Sequence, residues 1–452
     1  MSRAATQASA LRVLLEALGV DAIYGPRGPW EVDVEVDPTV AVALAAAHRR
    51  VHGLAAAAHL GDGRFVLGDL SGRDEVTVVL DDASDLVEPA RELRDALVSR
   101  PRRRIVVVAR VDPERAAPAL VRPDPLGVDS WTVPDETLVD RVRAAERPMV
   151  IAGPGVVDAG AVGDLRALAG AADLGVLNTW GAKGVFDWRS RHHWATVGLQ
   201  AHDLELGGVA ESDLVVLTGI DPDELDMVFL AGRPTLDVSP ASLGPLAEQW
   251  SRPRGDGAMP ELRARLAEVT QAGWGRADAP LAPSQATRTY SELVRAGGFV
   301  AADPGLAGYW VARTLGTTRL GGAKVPSRRA ERGSAIASVV VSRLRRPRAS
   351  ALAVTDAPLQ EIDHLLLDSA QHLGVSVTVE VWDTDGPRLS ADEHEARLRG
   401  AADLGSTLLP LVTDPSQLDE MVRAAGRVTA WGGLVHELTV GGRADDAGGA
   451  PA

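Results

Sequence analysis

Two spacings of apolar residues alternate along the chain. In residues 8–18, Leu11, Leu14, Leu15 and Leu18 recur every three or four positions, which places them on one face of a helix. Residues 22–24 read as a short strand running into the turn Gly25-Pro26-Arg27-Gly28, and residues 40–58 as a long Ala-rich helix. The β-branched runs 76–80 and 105–109 read as strands. A second group opens with a strand at 148–152, then Gly153-Pro154-Gly155, a helix at 160–171 and further strands at 175–178, 214–218 and 235–238. A charged helix, 261–272, separates it from a third group. That group has strands at 299–302, 351–354 and 375–381, with helices at 334–344 and 359–373. Strands alternating with helices of this length predict parallel sheets covered on both faces. The expected fold class is α/β, with three doubly wound parallel-sheet domains.

Pro and charged residues gather at 121–134 and again between 250 and 283, which sets the expected domains at 1–122, 135–272 and 284–440. The Gly/Ala/Asp-rich stretch 441–452 is expected to be a disordered tail. A length of 452 residues suits about three domains. Strand ends matter because open α/β sheets bind ligands at the carboxyl edge. By position Asp221, Asp303, Asp356 and Asp383 all stand there.

Composition narrows the chemistry. A net charge of -15 opposes phosphate backbones, so no nucleic-acid partner is expected, and the cluster from Arg100 to Arg104 reads as a solvated helix end and loop. With no cysteine there are no disulfides, no thiolate catalysis and no cysteine metal site. No signal peptide is apparent and the longest apolar run, 40–47, is too short for a membrane span, so a cytoplasmic protein with no membrane partner is expected.

Four motifs follow one another in the second group. They are Val150-Ile-Ala-Gly-Pro-Gly155, Asn178-Thr-Trp-Gly-Ala-Lys-Gly-Val-Phe186, Thr196-Val-Gly-Leu199 and Ser212-Asp-Leu-Val-Val-Leu-Thr-Gly219. The succession resembles the central domain of thiamine-diphosphate enzymes of the acetolactate synthase type. Leu18-Gly-Val-Asp-Ala-Ile-Tyr-Gly-Pro-Arg-Gly28 is similar to the opening of that family's pyrimidine-binding domain, and Phe299-Val-Ala-Ala-Asp-Pro-Gly305 to its diphosphate-binding domain. The resemblance implies pyrimidine-binding-like, central Rossmann-like and diphosphate-binding-like domains in that order. It also implies thiamine diphosphate and magnesium as cofactors, a 2-keto acid as substrate for decarboxylation or carboligation (lyase or transferase chemistry), and a homodimer or homotetramer.

Such chemistry needs a cation tied by oxygen ligands to the cofactor's diphosphate and a glutamate against its aminopyrimidine. The resemblance assigns Thr355, Asp356 and Asp383 to the cofactor, and Asp356 and Asp383 to the metal. The two aspartates lie 27 residues apart, the family's strand-helix-strand interval. Thr355 and Ala357 stand where glycines are expected, and Asp356 could equally cap the helix that follows. No acid occupies the glutamate's place; Glu35 and Asp37 lie just upstream. His48 and His52, four apart, share a helical face and read as solvent-facing rather than as a metal pair, and His192-His193 as a loop pair. Gly153 and Gly155 are half of a dinucleotide fingerprint. No flavin is expected. Three readings therefore remain open: a thiamine-diphosphate enzyme whose catalytic residues are unassigned, a non-catalytic homologue (a pseudoenzyme) acting as a binding or regulatory subunit, and a nicotinamide-nucleotide-binding protein.

Overall fold

The computed structural model describes residues 6–68, 75–80, 92–93, 104–115, 136–252, 258–293, 297–326, 332–401 and 406–436. The linker at 121–134, the arginines before Arg104 and the tail 441–452 lie outside them.

The first sheet holds β1 (Val20–Gly25), β2 (Val34–Glu35), β3 (Ala55–His59), β4 (Arg64–Gly68), β5 (Glu75–Leu80) and β6 (Arg104–Ala109), in the order β2-β1-β3-β4-β6-β5. It is parallel except at β4, which pairs antiparallel with both β3 and β6. The expected long helix at 40–58 is shorter. It runs Pro38–His52, capped at its start by Asp37, whose Oδ1 accepts from Thr39 N, and closed by Gly53 at φ 69°. The alanines beyond it form β3, and a tight turn with Asp62 at φ 50° and Gly63 at φ 70° reverses the chain into β4. Leu11, Leu14 and Leu15 from the helix Gln7–Ala17 bury with Ile23, Phe65, Val78 and Val107 of the sheet.

The second sheet, β7 (Pro148–Ala152), β8 (Val176–Thr179), β9 (His193–Val197), β10 (Leu214–Thr218) and β11 (Thr235–Asp237), is wholly parallel, in the order β11-β10-β7-β8-β9. Alternate residues of one strand serve opposite cores. Val150 packs with Leu165, Leu168, Leu243 and Leu246, whereas Met149 and Ile151 pack with Leu177, Val197 and Leu262. Both faces are covered, which is the doubly wound arrangement.

The third sheet is also wholly parallel. Its strands are β12 (Phe299–Ala302), β13 (Ala323–Lys324), β14 (Ala351–Asp356), β15 (Thr378–Trp382) and β16 (Thr407–Leu411), in the order β13-β12-β14-β15-β16. Its core includes Val300, Val354, Leu409 and Leu411 with Tyr309 and Trp310 of the helix Leu306–Thr314. The fold is α/β with three parallel-dominated sheets, as the strand-helix alternation predicts.

Compactness does not follow chain order. One unit gathers Met1–Ser130, Ile336–Pro347 and Gln360–Val375; the other gathers Trp131–Ala335, Arg348–Leu359 and Ser376–Ala452. In the first unit the helix Glu361–His372 packs on Pro38–His52, and Arg345 forms a 2.9 Å ion pair with Asp21.

Candidate functional site

The carboxyl edge of the third sheet concentrates acid. Asp303 follows β12 and is completely buried, yet its carboxylate is well provided for. Oδ1 accepts from Ala335 N at 2.9 Å and from Ser334 Oγ at 2.8 Å, and Oδ2 accepts from Gly333 N at 3.2 Å and Thr355 Oγ1 at 2.8 Å. The first three of those donors sit at the start of the helix Ser334–Arg345, where unpaired N–H groups and the helix dipole favour an anion, and the fourth comes from β14. Thr355 is thereby committed to Asp303.

Asp356, one residue on, is 2% exposed. Its Oδ1 accepts from Ala307 N at 3.0 Å, in the first turn of Leu306–Thr314, while Oδ2 has no partner among the described residues. Burial, with Asp303 beside it, raises this carboxyl to about 7 against the opposing pull of the Ala307 N–H and the Arg332 guanidinium. Arg332 itself donates to the backbone carbonyls of Asp356 and Pro358. β14 and β15 are neighbours, but their register sets Asp356 against Trp382, with Asp383 one residue beyond. Asp383 is half-buried, and its Oδ1 accepts from Asp385 N at 3.2 Å within its own turn. Among the described residues no group of three or more His, Cys, Asp or Glu could hold a metal ion.

Beneath this edge lies a buried polar network that sequence patterning missed. Tyr290 Oη donates to Glu380 Oε1, Trp382 Nε1 donates to Tyr290 Oη at 3.0 Å, and Glu380 Oε2 lies 2.7 Å from His394 Nε2. Glu380 sits mid-strand on β15, and only its place as the one charged residue of the apolar run Val379-Glu-Val-Trp382 hints at it.

In the second sheet the glycine-rich turn has a packing explanation. A Cβ on Gly153 would stand 2.3 Å from Gly219 O, and one on Gly155 2.7 Å from Gly219 Cα. Gly153 N and Gly155 N donate to Thr218 O and Gly219 O at 2.9 and 2.8 Å. The glycines let two loops meet, so their spacing needs no nucleotide to account for it. His193 is not in a loop with His192; it begins β9, because residues 193–197 form a short edge strand that the preceding polar residues disguise. Lys183 is buried, with Nζ donating to Ala312 O at 2.8 Å; burial and the charge of Arg313 lower its amine to about 7.

The first sheet corrects another expectation. His48 does not face solvent: it is 2% exposed, with Tyr24 Oη 2.8 Å from Nδ1 and Asp21 Oδ2 2.9 Å from Nε2. The helix buries this side against β1 because His48 follows Leu44 and Ala45 on the apolar stripe. His52 is half-buried, its ring 4.8 Å from that of His48. The upstream acids are locally engaged, Glu35 with Arg27 at 2.9 Å and Asp37 as the helix cap. His59, ending β3, is buried and stacked on Phe65, with neither ring nitrogen partnered among the described residues.

No helix among the described residues is long and apolar enough to cross a membrane. Compared with known proteins, residues 136–238 match the family described as thiamine pyrophosphate enzyme, central domain. No curated protein matches the chain. The matched segment contains all of the second sheet, β7 to β11, with the glycine turn and the Lys183 turn in place. Over residues 136–238, then, the chain is similar to the central domain of thiamine pyrophosphate enzymes.

Proposed function

We propose that the chain is a divergent thiamine-diphosphate enzyme homologue that works as a non-catalytic binding or regulatory subunit. The observation that carries this reading is the commitment of the third sheet's acid edge to the protein's own helices. A diphosphate held through magnesium asks for free N–H donors and for carboxylate oxygens open to a hydrated cation. Here Gly333 N, Ser334 Oγ, Ala335 N and Thr355 Oγ1 are spent on Asp303, and Ala307 N on Asp356. The remaining oxygen of Asp356 is sealed from solvent, and Asp383 is bound into its own turn. Residues so arranged do not fit the diphosphate–magnesium group. On the pyrimidine side, Glu35 pairs with Arg27 and Asp37 caps the helix Pro38–His52. A cytoplasmic homo-oligomer is part of this reading.

The second reading is acetolactate synthase-like decarboxylation or carboligation of a 2-keto acid. The unpartnered Asp356 Oδ2 favours it, since an orphaned buried oxygen is what a missing cation leaves behind. Pyruvate consumption by the purified full chain, with thiamine diphosphate and magnesium supplied, separates the two. The expected result is the same rate with and without the cofactor. Cofactor-dependent loss of pyruvate would overturn the proposal and install the second reading.

A further inference from the structure

We infer that Asp303 and Asp356 are internal helix-capping carboxyl groups, and that Asp356 holds the start of Leu306–Thr314 in place of binding a cation. The inference goes beyond the proposed function, because it concerns what the two acids do whether or not the chain turns over a keto acid.

Ordinary helix caps come from the residue just before the helix. Neither helix here has one. Gly305 precedes Leu306–Thr314 at φ 147° and offers no side chain. Gly333 precedes Ser334–Arg345 at φ 89° and likewise offers none. Each start is instead served by a carboxylate from a strand end distant in sequence. Asp303 reaches across 30 to 32 residues to Gly333, Ser334 and Ala335, and Asp356 reaches back 49 residues to Ala307. The glycines and the acids are complementary. A side chain at either glycine would meet a backbone conformation that L residues rarely adopt, and the missing local caps would leave buried N–H groups unpaired without the acids. Thr355 completes the arrangement, its hydroxyl donating to Asp303 where a glycine would give nothing.

Two roles for Asp356 predict different responses. A capping carboxylate needs one acceptor oxygen, which an amide retains; a cation ligand needs the charge, which an amide loses. Thermal unfolding of the full chain, followed by tryptophan fluorescence, tests this on Asp356→Asn, Asp356→Ala and Asp303→Asn, each in chelator and in magnesium with thiamine diphosphate. Asp356→Asn is expected to keep the wild-type Tm within about 2 °C, and Asp356→Ala to lower it by about 4 °C, as a lost cap in a unit of this size should. Asp303→Asn, which removes charge from a four-donor site, is expected to lower Tm by more than Asp356→Asn does. The wild-type Tm should be the same in chelator as in magnesium with cofactor. A rise of Tm with magnesium and cofactor that Asp356→Asn abolishes would overturn the inference, as would an Asp356→Ala variant as stable as the wild type. Should Asp356→Ala fail to fold, the amide variant alone decides between the roles. Keto-acid turnover with no such rise would sink the proposed function and leave this inference standing.

Discussion

Removing one partner of the Arg313–Asp203 pair should cost more than any other single change in the second unit. Both side chains are essentially inaccessible, and Arg313 Nη2 lies 2.8 Å from each carboxylate oxygen of Asp203. Arg313 Nη1 also donates to Thr196 O at 2.7 Å, and Asp203 Oδ2 accepts from Leu199 N and Gln200 N at 2.8 and 2.9 Å. Asp203→Ala leaves a guanidinium buried without its counter-charge and strips two backbone N–H groups of their acceptor. Breaking a buried pair from one side costs about 3–5 kcal/mol, and the stranded N–H groups hold the value at the upper end. Arg313→Met leaves the carboxylate two of its N–H partners, so the lower end of about 3 kcal/mol applies. The double variant Asp203→Leu with Arg313→Met removes both charges and should cost less than Asp203→Ala alone. Urea unfolding read by tryptophan fluorescence is a suitable assay, because every tryptophan among the described residues but Trp30 belongs to this unit. A single substitution costing under about 1 kcal/mol, or a double variant no better than the sum of the singles, would refute the argument.

Three further outcomes follow from buried groups. His59→Phe should stabilise the first unit by about 1 kcal/mol, since an apolar ring stacked on Phe65 replaces an imidazole with no partner; a lower Tm would mean that the imidazole has a partner. Lys183, with its amine lowered to about 7 from 10.5, binds a proton only in the unfolded chain between those values. Stability should therefore rise as pH climbs from 7 towards 10.5, and Lys183→Met should flatten that rise in denaturation curves taken across the range. Gly153→Ala should destabilise by about 1–3 kcal/mol, because its Cβ meets backbone at Gly219 and Ile220 and not a movable side chain; an unchanged Tm would show that the two loops can separate.

The elements readable from sequence were those with strong β-branched runs or leucine stripes. β7, β10, β12 and β14 are apolar on both faces and announce themselves, as does Gln7–Ala17. β3 does not, because its residues are four alanines and a histidine, and alanine favours helix when judged locally. Gly53 was the available stop signal, and it indeed ends the helix in the left-handed region. β4 and β9 are short and polar at one end, β13 has only two residues, and the helix Leu306–Thr314 carries Gly, Tyr and Thr that blur its period. At the candidate site, the strand-end positions of Asp303, Asp356 and Asp383 could be read from the pattern. That Asp303 would serve a helix start some 30 residues away could not, since nothing in local spacing records which amide a buried carboxylate will meet. His48 went astray for a related reason: its burial depends on Tyr24 and Asp21 arriving beside it from another strand.

The way the polypeptide leaves and re-enters its first compact unit has a practical corollary. That unit borrows Ile336–Pro347 and Gln360–Val375, stretches transcribed long after its own sheet, and so is not a contiguous gene segment. A clone stopped at Ser130 would uncover the flank of Pro38–His52 on which Glu361–His372 rests and leave Asp21 without Arg345. Ribosomal synthesis imposes the same order on the nascent chain, whose first sheet must wait for most of the protein to emerge before its outer layer arrives.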